Sequence, residues 1–197
     1  MLSNGRSLLA ELFNMFEKIY NVKESIIPNH FCDKIIKDGE LKTIEKAGIA
    51  DGNNANRSSK ISWLKDKDLQ KTLSHFVQFA NKESNWYFSL KEFESLQYTI
   101  YNEGDFYNWH TDQHLKPYKN NTVRKLSFTL CLNDEYEGGD FEICDPHPEP
   151  DLSTTTTFKF KKGTIIVFPS HIWHRVKPVT KGIRKSLVGW VVGNQWL

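Results

Sequence analysis

The sequence predicts an α+β fold in which helices come first and an antiparallel β-sandwich or barrel follows. Two observations carry this. Before Trp86, apolar residues recur at helical spacing. From Trp86 onward, short runs of β-branched and aromatic residues alternate with Gly, Pro, Asn and Asp clusters, with no helical segment between them. Composition agrees: 39% apolar and 13% aromatic residues in a 197-residue chain support a globular core and exclude disorder, collagen and coiled coil. No apolar run approaches the ~18 residues of a membrane span. A net charge of +2 is too small to argue for a polyanion partner.

The elements come in this order. Leu8, Leu9, Leu12, Phe13 and Phe16 mark an amphipathic helix over 1–20, within an N-terminal extension, 1–24. Glu11, Asn14 and Glu17 interrupt it, so it lacks the unbroken apolar core of about 7–15 residues that a signal peptide needs. The cysteines, Cys32, Cys131 and Cys144, are sparse, odd in number and without a CxxC pair. They read as buried thiols in a reducing compartment, and a cytoplasmic protein is expected. A second helix starts near Pro28, with Asn29 as N-cap and Phe31, Ile35 and Ile36 as its apolar stripe. Ala47–Ser59, rich in Gly, Asn and Ser, reads as loop. Leu69, Leu73, Phe76, Val77, Phe79 and Ala80 place a helix over Asp66–Asn81. Strands are expected at Ser95–Tyr101, Trp109–Gln113, Arg124–Asn133, Asp140–Cys144, Thr156–Phe160, Thr164–Phe168, Ile172–Lys177 and Arg184–Val192. Residues 1–197 thus read as one domain with its β core over 86–193.

The chemistry centres on His110-Thr111-Asp112. On a strand, residues i and i+2 share a face, so an imidazole and a carboxylate stand side by side. A distant histidine would complete a 2-His-1-carboxylate facial triad, the donor set that suits non-haem Fe(II) because it leaves coordination positions open. His171 and His174 compete for that place. His174 shares its strand phase with Val176, opposite the charged Arg175 and Lys177, so it faces inward, whereas His171 falls in a turn beside Pro169 and Ser170. An isolated HxD occurs by chance in many proteins, and the residues downstream of it add the weight. Arg184 and Ser186 share a strand face with Val188 and Trp190. A guanidinium on an apolar inward face needs an anionic partner, either a protein carboxylate or a ligand. Along Arg124–Asn133, Ser127, Thr129 and Cys131 take one phase, for the pocket, and Leu126, Phe128, Leu130 and Leu132 the other, for the core.

The ordered set Tyr101-x-x-Gly104, His110-x-Asp112, Gly138-Gly139, Phe168-Pro169-Ser170, His174-x-Val176-x-Pro178-Val179 and Gly182-x-Arg184-x-Ser186 resembles the Fe(II)/2-oxoglutarate-dependent dioxygenases, and within them the prolyl 4-hydroxylase-like branch. It spans about Leu96–Gly193. The resemblance implies a double-stranded β-helix, or jelly roll, of about eight antiparallel strands with helices packed on one sheet. It implies iron at His110, Asp112 and His174, and 2-oxoglutarate held by Arg184 with Tyr101 and with help from Ser186. Relatives with a second co-substrate tyrosine carry it where Cys131 falls, so that contact must be absent or come from elsewhere. The implied reaction uses O₂, with ascorbate as a stimulant, and releases succinate and CO₂. By branch resemblance the expected substrate is a prolyl residue in a protein or peptide. Trp109, Trp173 and Tyr107 are candidates to stack on the proline ring, or else belong to the core. Arg57, near the end of a candidate flap at Ala47–Ser59, is a candidate substrate contact, as is the polar loop His114–Thr122; solvated loop is the plainer reading of both segments. Alternatives are hydroxylation of a free amino acid or other small molecule, demethylation of nucleic acid, which the near-neutral charge disfavours, and a cupin-like module that binds metal without turnover. No membrane partner is expected.

Overall fold

Leu126, Phe128, Leu130 and Leu132 alternate with Ser127, Thr129 and Cys131 along a central strand, and the two sets face two different interiors. A computed structural model describes residues 18–47, 56–114, 116–145 and 149–195. The expected helix over 1–20 lies almost wholly outside them. The large sheet contains β1 (Asn21–Lys23), β2 (Glu45–Lys46), β4 (Lys60–Leu64), β5 (Glu92–Phe93), β6 (Leu96–Tyr101), β8 (Thr122–Cys131), β12 (Ile165–Pro169) and β15 (Arg184–Asn194). Its order is β1-β12-β8-β15-β6-β4-β2, with β5 also paired to β15. The smaller sheet contains β3 (Arg57–Ser58), β7 (Phe106–His110), β10 (Phe141–Cys144), β11 (Thr156–Phe158) and β13 (Trp173–Val176), in the order β11-β10-β13-β7-β3. A ribbon of β9 (Tyr136–Gly138) and β14 (Val179–Gly182) completes the set, and the described ladders are antiparallel.

Helices α1 (Asn29–Glu40) and α2 (Lys67–Glu83) cover one face of the large sheet. Cys32, Ile35, Leu73 and Val77 pack there in one apolar cluster with Tyr98, with Leu126, Phe128 and Leu130 of β8, and with Leu132 just past its end. Phe141, Ile143, Ile166, Phe168 and Val176 fill the space between the two sheets, where Cys131 also lies. The jelly roll with helices on one sheet is the architecture the sequence leads one to expect.

Local chemistry accounts for the helix ends. Asp66 caps α2, accepting from the Asp68 and Leu69 amides at 3.0 and 2.9 Å. The expected Asn29 cap is not formed. Pro28 holds the N-cap position, its carbonyl accepts from the Phe31 and Cys32 amides, and Asn29 is the first helical residue. Gly39 lies so near the Tyr98 ring that a Cβ would collide with its Cγ and Cδ1, and this closeness is what allows α1 to sit flat on the sheet.

The expected loop Ala47–Ser59 needs correction at its end. Arg57 and Ser58 form an edge strand on β7 because the Arg57 side chain is buried over the Tyr107 ring. Residues 48–55 lie outside the described set.

Candidate metal centre and its cavity

His110 and His174 are direct cross-strand partners of β7 and β13. Both imidazoles are oriented through Nδ1, which lies 2.7 Å from the Asn108 carbonyl in His110 and 3.0 Å from the Ile172 carbonyl in His174. With Nδ1–H donating to those carbonyls, each Nε2 keeps a lone pair for a metal. Asp112 joins them, with carboxylate oxygens 3.9 Å from His110 Nε2 and 3.5 Å from His174 Nε2. One ligand atom from each of the three residues lies within 4.8 Å of the others.

The route to this cluster differs from the expected one. β7 ends at His110 rather than running from Trp109 to Gln113, and Asp112 sits just past it. The turn is pinned by the Asp112 and Gln113 amides, which both donate to the Ser170 carbonyl at 2.9 Å. His171 lies in the turn between β12 and β13, and His174 alternates inward with Val176.

A bulge in β7 has a further effect. His174 pairs with His110 but Val176 pairs with Tyr107, so one extra residue is absorbed on β7. Tyr107 and His110 therefore share a face, and their rings stack with centroids 3.5 Å apart. Trp109 faces away and lies under the Arg175 guanidinium. Trp173, adjacent to His174 on β13, alternates outward as well, and neither tryptophan lines the cavity.

The electrostatics suit a divalent cation. Burial first, then the neighbouring His174, holds the His110 imidazole well below its ordinary value, hence neutral. Burial alone would raise the Asp112 carboxyl, but His174, His110, Arg124 and a Ser127 hydrogen bond carry it down to about 2. Two imidazoles and one carboxylate are the donor set of a non-haem Fe(II) centre.

The cluster opens on a cavity of about 950 Å³ between the sheets. Arg184, 1% exposed, projects into it. Its Nη1 donates to Ser186 Oγ at 3.1 Å, and its Cζ lies 5.3 Å from the Tyr101 ring centroid. Its Nε and Nη2 are buried with no hydrogen-bond partner among the described residues. A fully buried guanidinium with two orphaned donors fits an anionic ligand and fits little else. Gly139, at φ +61, leaves room for the Arg184 stem, because a Cβ there would meet Arg184 Cδ at 3.0 Å.

Sequence reasoning missed three residues here. Tyr136, on β9, brings its hydroxyl beside both Arg184 and Cys131 Sγ; burial pushes that phenol up to about 12 against the opposing pull of Arg184. Its hydroxyl lies 3.8 Å from Cys131 Sγ. Arg124 and Trp190 form the outer wall, the guanidinium lying 4.0 Å from the indole centroid and forked onto Glu94 at 2.8 and 2.7 Å. Trp190 shares its strand phase with Arg184, and that was the available signal. The pairing of Arg124 with Glu94 joins residues on different elements and left none.

Residues 96–192 match the model of the 2OG-Fe(II) oxygenase superfamily. A PKHD-type hydroxylase of Idiomarina loihiensis is 38% identical over 93 residues, 46% of this chain and 38% of the relative. One from a Synechococcus strain is 32% identical over 130 residues, 62% of this chain and 55% of the relative. The chain thus spans about half or less of the length of these curated relatives. Among solved structures, a Pseudomonas putida prolyl-4-hydroxylase superposes with a TM-score of 0.68 at 18% identity, covering 96% of this chain and all of that one. The viral collagen prolyl hydroxylase of Paramecium bursaria Chlorella virus-1, in its 2OG complex, gives 0.67 at 19%, covering 89% and 97% of the two chains. The hydrogen-bonded imidazoles, the low Asp112 carboxyl and the orphaned Arg184 all lie on or beside the matched segment, and through it the chain belongs to the 2OG-Fe(II) oxygenase superfamily, with the fold of its prolyl 4-hydroxylase-like branch.

Proposed function

We propose that the chain is an Fe(II)- and 2-oxoglutarate-dependent hydroxylase acting on a prolyl residue in a protein or peptide. The observation that carries this is the orphaned, buried Arg184 in the same cavity as the three-residue metal cluster. His110 Nε2, His174 Nε2 and the Asp112 carboxylate would hold the iron. Arg184, braced by Ser186 and flanked by Tyr101 and Tyr136, would hold the distal carboxylate of 2-oxoglutarate. With O₂ the bound iron and co-substrate supply the oxidising power: C–H becomes C–OH while 2-oxoglutarate and O₂ become succinate, CO₂ and the inserted oxygen.

The chain's own residues set the geometry. The backbone carbonyls of Asn108 and Ile172 keep both imidazoles in the metal-binding tautomer. Phe141 and Phe168 pack around His174, with ring centroids 5.7 and 4.6 Å away, and keep water from that side of the cluster. The prolyl reading is supported by the outer wall. Trp190 lines the cavity and offers an aromatic surface to a pyrrolidine ring, and Arg124, held by Glu94, is placed to donate to a peptide carbonyl. A Trichoplax adhaerens prolyl hydroxylase solved with a peptide fragment has the same fold, with a TM-score of 0.67 at 15% identity.

The test is incubation of the full chain with Fe(II), 2-oxoglutarate, ascorbate and proline-containing peptides, read by succinate release and peptide mass. Succinate release with a gain of one oxygen on proline supports the proposal. Succinate release with no modified peptide across a broad proline panel rejects the prolyl substrate, and the absence of succinate rejects the oxygenase.

A further inference from the structure

Of the four described arginines, Arg124 and Arg175 each pair with a glutamate, Glu94 and Glu142. Arg184 and Arg57 do not. Arg57 is 7% exposed and lines the metal cavity. Its Nε donates to Ser59 Oγ at 2.8 Å and its Nη2 to Gln97 Oε1 at 2.9 Å, both neutral acceptors. Its Cζ lies 4.6 Å from the centroid of Tyr107, whose other face stacks on His110. The cation therefore sits at the metal end of the cavity, largely buried and with no described carboxylate within 4.0 Å of it. A buried charge in that condition is costly unless a ligand completes it.

The co-substrate does not supply the missing anion. In the proposed binding mode, one carboxylate of 2-oxoglutarate belongs at the metal and the other at Arg184. We propose that Arg57 anchors a carboxylate carried by the substrate itself, so that the protein acts on a residue flanked by an acidic side chain or by a free C-terminus. This rests on the oxygenase reading and narrows its substrate to anionic peptides. The edge strand β3 serves the purpose: pairing with β7 in the register Arg57–Tyr107 holds the guanidinium flat on the ring, and Gln97, itself receiving a 3.3 Å contact from Thr99 Oγ1, fixes the fork. One guanidinium edge is thereby bound to the protein while the head group still borders the cavity.

The test uses the full chain loaded with Mn(II) and 2-oxoglutarate, with binding read by tryptophan fluorescence, since Trp63 and Trp190 line the cavity. The probes are capped proline pentapeptides in matched pairs: Asp against Asn before or after the proline, and a free acid against an amide directly after it. At least one charged member is expected to bind about tenfold or more tightly than its neutral twin. The pair that shows the preference identifies its source, side chain or C-terminus. In Arg57→Gln the preference should shrink to about twofold or less. Absence of any preference in the wild type, or its persistence in Arg57→Gln, overturns the proposal. Gln97→Glu gives a measurement independent of folding losses at Arg57. It places a carboxylate on the existing 2.9 Å contact, and is expected to raise the melting temperature of the metal-free chain and to remove the peptide preference. An unchanged or lower melting temperature contradicts an uncompensated Arg57. Wild-type protein that releases no succinate with Fe(II) and 2-oxoglutarate fails the oxygenase reading instead, and the two failures are thus separable.

Discussion

Replacing Arg184 by Met should separate ligand binding from stability in a way few active-site changes do. The side chain is 1% exposed, Nη1 donates to Ser186 Oγ, the Tyr136 hydroxyl lies beside the head group, and Nε and Nη2 are orphaned. Removing one member of a satisfied buried ion pair costs about 3–5 kcal/mol, but here there is no pair to break. Arg184→Met removes an uncompensated cation and substitutes an unbranched apolar chain, so the ligand-free stability should stay within about 1 kcal/mol of wild type or rise. Binding should respond differently. Two charge-assisted hydrogen bonds at about 1.5–3 kcal/mol each amount to at least about 3 kcal/mol, or more than a hundredfold in Kd for 2-oxoglutarate. Titration calorimetry with Mn(II) present measures this directly. Thermal unfolding checks it: at a ligand concentration near 100 Kd, linkage contributes about 2.7 kcal/mol. For a chain of this size that is about 5–10 °C in the wild type, and it should vanish in the variant. A Kd for 2-oxoglutarate unchanged within about threefold would refute the assignment of the orphaned donors. So would a ligand-free variant destabilised by several kcal/mol.

The packing and the charges lead to three more expected outcomes. Gly39→Ala, which in an exposed helix would stabilise, should here cost about 1–3 kcal/mol in urea denaturation, because the new methyl collides with the Tyr98 ring. The thiols of Cys32, Cys131 and Cys144 are buried and raised, Cys32 to about 11, with burial the leading cause in each. None should react with a thiol reagent at pH 8 in the native chain, and all should react in denaturant. Glu142 bonds Arg175 Nε at 2.6 Å; burial opposes ionisation there, but Arg175, Thr157 and Lys177 outweigh it and hold the carboxyl below its usual 4.5. The folded value being the lower one, this contribution is complete above the unfolded value and fades as pH falls through the folded one. Glu142→Gln should therefore cost about 2 kcal/mol at pH 7 and show a shallower acid limb than wild type in denaturation at successively lower pH.

Much of this molecule is readable because period-two alternation survives in strands buried on both faces. On β8 the leucine phase goes under the helices and the Ser-Thr-Cys phase toward the jelly-roll interior, as the spacing requires. On β13 the opposition of Arg175 to His174 places the second imidazole. What escapes depends on contacts between residues far apart in the chain. The β7 bulge is invisible in a run of aromatic residues, yet it turns Tyr107 into the cavity and Trp109 out of it. Asp112 reaches the metal cluster from a turn anchored on Ser170 rather than from a strand, a geometry that HxD spacing alone mimics. Arg57 reads as the end of a loop because Gly, Asn and Ser dominate the preceding residues; its strand exists because β7 offers an edge and Tyr107 a face.

The central claim is that His110, Asp112 and His174 together hold a single divalent cation. Anomalous diffraction at the manganese edge, from crystals grown with Mn(II) and 2-oxoglutarate, measures it. The account predicts one strong peak within about 2.3 Å of His110 Nε2, His174 Nε2 and an Asp112 carboxylate oxygen. A peak bound by other side chains, or no peak at this cluster under saturating Mn(II), would contradict it.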